Sequence, residues 1–534
     1  MSAPSTSAPR RGIVALVAGL LALGVIARVL PLVSGTSRML RQYPSEDGYL
    51  MLTIARNLAL GHGMATADGA IPTNGTQPLV NFLWAAGLWL FDADRVAGVA
   101  WALWWQVAFA CASAWALYAL GRRLLGEHPW AREIAALGAA GWFAQMLTCM
   151  HGMNCLETGG YVLAILAFAL ALVGRAGDPL VPWSTRRALG LGILLGVCAW
   201  VRIDAVFLIG ATCLARALLV EEARFGVRLR NLTSAVLCGA TAVVVVSPWL
   251  LHNKLRFGAF RPISGTAQDF DAVFGGNLTQ AVANTAEYAL VVLPVPQRLE
   301  KLPLVNGALA LVLAGALLVT LRAFRAGTPR ARTAIVVLGG FCVALFCYYG
   351  LSFGAPHFVG RYLQPTAPFL ALVWSATVTG AFARSGALRR PALAVPAGLA
   401  LVALMSYPHV RLWHKEPLHG HFQVVEWVED NVPDEAWVGA PQTGTLGYFH
   451  DRTLNLDGKV NPVALEHVLA RTIPEYIVEQ DLSYLIDWNG IALWTTEFPR
   501  IRDNYELIVD DERANLAVIA RKDLARAWTA RHAR

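Results

Sequence analysis

At 534 residues, 56 % hydrophobic and 15 % charged, the chain does not have the composition of a soluble globular protein, in which about 25 % of residues are charged. A mean hydropathy of +0.48 points the same way. The formal net charge of +8 raises nucleic acid as a partner, but the arginines stand in short loops between apolar runs, where they read as orientation signals for a membrane protein.

The first apolar run, Gly12 to Val33, follows Arg10 and Arg11 without a small-residue cleavage site, so it reads as a retained signal anchor behind a disordered cytoplasmic start, Met1–Arg11. Further apolar segments lie near 96–120, 133–150, 159–174, 188–201, 204–220, 232–251, 304–321, 333–351, 363–382 and 391–407. Alternating crossings through these put every Arg-rich loop on one side: Arg122–Arg132, Arg175–Arg187, Arg216–Arg230, Arg322–Arg332 and Arg384–Arg390 all join the cytoplasmic N-terminus. One stretch, PLVNFLWAAGLWLF (Pro78–Phe91), is too short for a span and would invert the later loops if counted as one. It is therefore expected on the outer side, packed against the bundle. The outer elements become Ser34–Arg95, His252–Pro303 and the tail from Pro408 to Arg534.

The tail changes composition abruptly. EWVEDNVPDEAWVGAPQTGTLGYF predicts a helix, a Pro turn, a strand and a Gly-rich loop. SYLIDW, YELIVDD and RANLAVIAR predict strands, with helix near Pro462–Glu479. A segment of this length can bury its own core, so a small α/β domain is expected outside the membrane. Seven of the eight cysteines lie in apolar segments, Cys155 just past one, and none in the tail, so no disulfide framework holds it. The fold class read from these patterns is an α-helical polytopic membrane protein, with about eleven transmembrane helices and a C-terminal extracytoplasmic α/β domain.

Three sets of polar residues fall on the outer face. In YPSEDGYLMLTIARNLALGHG, Ser45 predicts an N-cap, and Glu46 and Asp47 stand in the first helical turn. Leu50, Ile54 and Leu58 predict an apolar stripe suited to the membrane surface. The helix dipole favours the ionised carboxylate, which would make Asp47 a base for a bound hydroxyl; the same three residues also describe a structural cap. HNKLRFGAFRPISG carries His252, Asn253, Lys254, Arg256 and Arg261, and HFVGRYLQP carries His357 and Arg361. These cations oppose the orientation trend. They suit a lipid phosphate or pyrophosphate, or they snorkel to ordinary headgroups. MHGMNCLET and VRIDA place His151, Asn154, Glu157, Arg202 and Asp204 at outer membrane edges, as substrate-binding candidates or as helix-end acids and local ion pairs. Interfacial belts account for most of the 18 tryptophans. No zinc spacing, Walker loop or dinucleotide fingerprint is present, and neither metal nor cofactor is expected.

The ordered series EDGYLMLTIARNLALGHG, GTQPLVNFLW, GMNCLETGGYVLAILA, VRIDAVFL, PWLLHNKLRFGAFRPIS and GRYLQPTAPFLAL resembles the GT-C fold glycosyltransferases. In the tail, GTLGYFHDRTLNLDGKVNP resembles external domains of bacterial members, including some arabinofuranosyltransferases. The resemblance runs from about Ser45 to Pro462. It implies an inner-membrane transferase, its tail outside, that takes a sugar from a polyprenyl-phosphate donor to a glycan, lipid or protein acceptor. It implies Asp47 as the catalytic acid/base residue, with Glu46 beside it leaving some ambiguity. It also implies donor phosphate contacts from Lys254, Arg256 and Arg361, to which His357 is adjacent. Membrane lipids are the other expected partner; nucleic acid is not. A lipid-linked sugar flippase would share the spans and charges, but such transporters show internal repeats, and none is legible. A scaffold using the tail for recognition, and an oligosaccharide ligase, are the other readings.

Overall fold

The computed structural model describes residues 7–532 apart from 175–182, 219–224, 271, 293–294, 296–298, 300–301, 386–390 and 416–420. Parts of the expected cytoplasmic loops 175–187, 216–230 and 384–390, and of the N-terminal start, lie outside the described residues.

Each expected apolar segment is helical: Ser7–Val33, Arg95–Leu125, Ala131–Ala144, Thr158–Val173, Thr185–Val201, Val206–Leu218, Phe225–Phe257, Pro303–Ala326, Pro329–Leu351, Ala367–Ser385 and Pro391–His414. The first helix begins at Ser7, inside the stretch expected to be irregular. Among the described residues six helices are long and apolar enough to cross a membrane: Gly12–Val33, Arg95–Leu125, Phe225–Phe257, Pro303–Ala326, Pro329–Leu351 and Pro356–Arg384. The protein is a multi-pass helical membrane protein. Ala131–Ala144 is buried over most of its length against Ser7–Val33, Arg95–Leu125 and Ala367–Ser385.

Local chemistry sets the helix ends. Asp94 caps Arg95–Leu125 by accepting from the Ala97 N–H at 2.6 Å, and the helix closes at Gly126 with φ 54°. Ser45 caps Glu46–Ala59, its hydroxyl accepting from the Gly48 N–H at 3.1 Å. The short helix Pro78–Leu90 packs on Glu46–Ala59 and on Arg95–Leu125, and its buried Trp84 indole donates to the Cys155 carbonyl at 3.0 Å.

Three expectations are corrected. The stripe of Leu50, Ile54 and Leu58 does not lie on a membrane surface: the helix that bears it is covered by Pro78–Leu90 and by the tail helix Gly444–Phe449, and Ile54 is fully buried. The helix Phe225–Phe257 runs beyond residue 251, so His252, Asn253, Lys254 and Arg256 belong to its last turns, not to a loop. The last membrane helix likewise passes through Pro408 to His414.

The tail is a five-stranded mixed sheet with strand order Thr453–Asn455, Val438–Ala440, Tyr484–Asp487, Leu516–Arg521, Tyr505–Asp511. The first three are parallel; the last two are antiparallel to their neighbours. Strand alternation makes two cores. Leu485, Ala517 and Ile519 pack with Leu454, Ile477 and Tyr505 on one face. Tyr484, Ile486, Val518 and Ala520 pack with Val424, Val428 and Leu446 on the other.

The tail is fastened to the membrane part. Asp451 pairs with Arg56 at 2.6 Å and Arg95 at 3.0 Å. The ring of Tyr49 stands 5.4 Å from Tyr448, 5.8 Å from Phe422 and 5.9 Å from Phe449. At Gly444 the two parts touch backbone to backbone: a Cβ there would lie 1.8 Å from the Glu46 carbonyl oxygen. Gly444→Ala is therefore expected to cost about 1–3 kcal/mol of overpacking at this contact. It would be measured as earlier proteolytic release of the tail and a lower melting temperature of the full-length protein; a variant as resistant as wild type would contradict the contact.

Candidate active site

The loops at the C-terminal ends of the parallel strands Val438–Ala440 and Thr453–Asn455 face the N-terminal turn of the helix Glu46–Ala59. Between them is a small cleft, lined by Glu46, Asp47, Leu50, Pro441, Gln442, Thr443, Gly444, Asn455, Asp457 and Lys459. The C-terminal edge of parallel strands is where open α/β sheets bind ligands.

The two adjacent acids do different work. Glu46 reaches into the tail: its carboxylate accepts from the Gly444 N–H, from the Thr445 N–H at 3.0 Å and from the Thr445 hydroxyl. Asp47 turns to the cleft and pairs through Oδ2 with Arg361 Nη1 at 2.7 Å. Burial alone would raise the Asp47 pKa, but the charges of Arg361, Lys459 and His357 outweigh it and hold the carboxyl below its usual range. Asp47 is thus ionised at neutral pH.

Arg361 sits on the short helix Val359–Leu363, its guanidinium 4.4 Å from the centre of the Phe358 ring. Lys459 Nζ lies 5.8 Å from the same ring and 3.0 Å from Asp457 Oδ2. Burial lowers the Lys459 pKa, yet Asp457 and Asp47 more than offset this and raise it, so the ammonium is retained. His357 is exposed beside this cluster. A Cβ on Gly360 would lie 3.5 Å from His151 Nε2, which puts His151 next to Arg361.

Glu157, Arg202 and Asp204 form a second, buried cluster. Arg202 lies 3.6 Å from Glu157 and 2.5 Å from Asp204, which also accepts from the Tyr349 hydroxyl at 2.8 Å. The clusters are joined by Tyr362: the guanidiniums of Arg361 and Arg202 lie 5.1 and 4.8 Å from its ring centre. Asn154 is structural here, its carbonyl accepting from the Ser45 N–H at 3.2 Å.

None of the residues near 252 lines the cleft. Lys254 and Arg256 are exposed at the end of their helix, and Lys254 donates to the Gly258 carbonyl at 2.7 Å. His252 stacks on Trp249 at 5.5 Å. Arg261 pairs with Asp269 at 2.7 Å. Asn253 is buried, accepting from Asn74 and donating to the Phe260 carbonyl, each at 3.1 Å. Among the described residues no three His, Cys, Asp or Glu side chains are grouped to hold a metal ion.

Sequence reasoning missed Lys459, Asp457 and Gln442. The first two lie in LNLDGKVNP, a stretch singled out for its resemblance alone. The available signal was the Asp-Gly-Lys turn, in which Gly458 adopts φ 78° and aims the flanking side chains.

Residues 410–530 match a family described as a domain of unknown function, DUF8728. No curated protein matches the sequence. Solved structures do resemble the fold. ArnT from Cupriavidus metallidurans bound to undecaprenyl phosphate superposes with a TM-score of 0.60 at 14 % identity, over 95 % of this chain and 97 % of that one. The archaeal oligosaccharyltransferase AglB from Archaeoglobus fulgidus, in complex with an inhibitory peptide and a dolichol-phosphate, gives 0.54 at 12 % identity, over 96 % and 74 %. The chain has the GT-C fold. Within that GT-C fold the cleft lies where the membrane helices meet the tail.

The ionisation of Asp47 depends on its cations. Removing one in Arg361→Gln leaves burial less opposed, so the carboxyl pKa should rise. Infrared difference titration against Asp47→Asn measures this; an unchanged or lower value would show that Arg361 does not set the charge.

Proposed function

We propose that the protein is a membrane glycosyltransferase that moves a sugar from a polyprenyl-phosphate donor to an acceptor hydroxyl on the outer face of the inner membrane, with Asp47 as general base. The observation that carries this reading is an ionised carboxylate flanked by two cations, Arg361 and Lys459, at a polar cleft beside membrane helices. The reaction asks for this combination. A base must take the proton of the attacking hydroxyl, and positive charge must stabilise the departing phosphate. Support for the lipid carrier comes from the fold, because two structural neighbours hold undecaprenyl phosphate and dolichol-phosphate.

The steps follow from the positions. Arg361 engages Asp47 Oδ2, and the other carboxylate oxygen, Oδ1, serves as the basic one. When the donor phosphate draws on Arg361 and Lys459, their hold on Asp47 weakens, burial counts for more, and the carboxylate becomes more basic as the substrate arrives. The acceptor oxygen attacks the anomeric carbon while the bond from that carbon to the phosphate oxygen breaks. The hydroxyl proton passes to Asp47, and the electron pair leaves with the polyprenyl phosphate. One displacement of this kind inverts the anomeric configuration. Glu46 acts in this scheme as the anchor of the tail, and Lys459 takes the phosphate role expected of Lys254 and Arg256.

Transfer of radiolabelled sugar from a panel of polyprenyl-phosphate donors tests the reading. Asp47→Asn should lose about 10²–10⁴-fold in rate, in a protein that still inserts and keeps its tail docked. Undiminished transfer by that variant would remove Asp47 as the base. A wild-type protein that uses no donor on a broad panel, yet moves lipid-linked sugar across vesicles, would favour the flippase. In the same assay Lys459→Met should slow turnover by more than about tenfold, while Lys254→Gln and Arg256→Gln stay within a few-fold of wild type. The reverse ranking would return the phosphate site to the residues near 252.

A further inference from the structure

His421 opens the tail helix Phe422–Asn431 as its N-cap and is 1 % exposed. Its ring lies between two carboxylates that belong to different parts of the molecule. Nε2 is 3.0 Å from Oδ1 of Asp487, at the end of the strand Tyr484–Asp487. Nδ1 is 4.0 Å from Oε2 of Glu46, one residue before the candidate base, and has no hydrogen-bond partner. No other titratable or cationic group faces the ring among the described residues: Trp488 meets it edge-on at 5.7 Å, and Glu426 on the same helix is turned away to pair with Arg41.

This geometry discriminates between the forms of the imidazole. The carboxylate of Asp487 requires Nε2 to donate. A neutral ring would then aim the bare lone pair of Nδ1 at the carboxylate of Glu46, whereas an imidazolium presents a proton to each acid. The same two acids grip one loop from both ends. Asp487 Oδ2 accepts from the Gln442 N–H at 2.7 Å, and Glu46 accepts from the N–H groups of Gly444 and Thr445. That loop is the tail's wall of the cleft opposite Asp47.

We propose that His421 is a positioning residue: in its protonated form it bridges Glu46 and Asp487 and so holds the Pro441–Thr445 loop in place over Asp47. Its effect on turnover rests on the transferase reading above; its effect on the loop does not. Burial alone would lower the imidazole pKa, but Glu46 and Asp487 outweigh it and raise the value above that of a free histidine. The bridge is therefore complete at acidic to neutral pH and is lost as pH rises through the raised pKa. Lys459 also titrates above its usual range, so its deprotonation falls at still higher pH.

The test compares full-length wild type with His421→Gln, which keeps a donor for Asp487 but carries no charge. Wild-type kcat should fall by about two- to fivefold as the imidazole loses its proton, the size of a weak ion pair across 4.0 Å. His421→Gln should show the lower rate throughout, with no such limb. A purely structural histidine would lower both curves in parallel. Amide hydrogen exchange at Gly444 and Thr445, compared between the two proteins at each pH, gives a second readout without substrate. Wild type should be the better protected below the transition and equal to the variant above it. An alkaline limb that persists in His421→Gln, or an exchange ratio that does not change with pH, would overturn the proposal. Failure of every sugar donor leaves the exchange result to decide it.

Discussion

The structure depends on a carboxylate lodged in a helix N-terminus. Glu46 satisfies the N–H groups at the start of Gly444–Phe449, groups that a helix leaves without intrahelical partners. In return the tail supplies donors for an acid that would otherwise be poorly solvated against the membrane part. A carboxylate accepting backbone N–H bonds at a helix N-terminus is among the stronger polar contacts available to a protein. The next residue along the chain is Asp47. Since Glu46 and Asp47 share the first turn of one capped helix, fixing Glu46 to the tail fixes where the other carboxylate points.

The charge arrangement follows from this. Asp47 is held between cations from two sources: Arg361 from the short helix after Pro356, and Lys459 from the tail. Each cation in turn has an acid partner, Asp47 for Arg361 and Asp457 for Lys459. The second cluster, Glu157, Arg202 and Asp204, is nearly sealed from solvent and is joined through Tyr349 and Tyr362, whose rings stack at 4.5 Å. A buried pair of this kind is strongly disrupted when one member is removed. It therefore gives a rigid backing to the helix that presents Arg361.

What was legible in the sequence was what local patterns encode. Apolar runs located the membrane helices, Ser45 announced its cap, and SYLIDW, YELIVDD and RANLAVIAR announced strands of the tail. Local sequence marked Asp47 by its place in a capped first turn, Arg361 by its charge against the orientation trend, and His151, Glu157, Arg202 and Asp204 as ionisable groups at membrane edges. The misses came from contacts between distant parts of the chain. Leu50, Ile54 and Leu58 read as a membrane-facing stripe because the tail that covers them begins hundreds of residues later. Lys254 and Arg256 look equivalent to Arg361 by charge and side; that they end an exposed helix turn and do not line the cleft is visible only in the fold. Lys459 was passed over because a lone lysine in a polar turn carries no periodicity to mark it.

The hydrogen bond from Gly444 to Glu46 joins residues 398 apart in sequence. Contacts of such separation form late, since the intervening chain must be ordered first. The membrane helices can be inserted and packed while the cleft still lacks its second wall. The contact that closes the cleft is thus among the last this chain can make, and until it forms Asp47 and the Pro441–Thr445 loop remain apart.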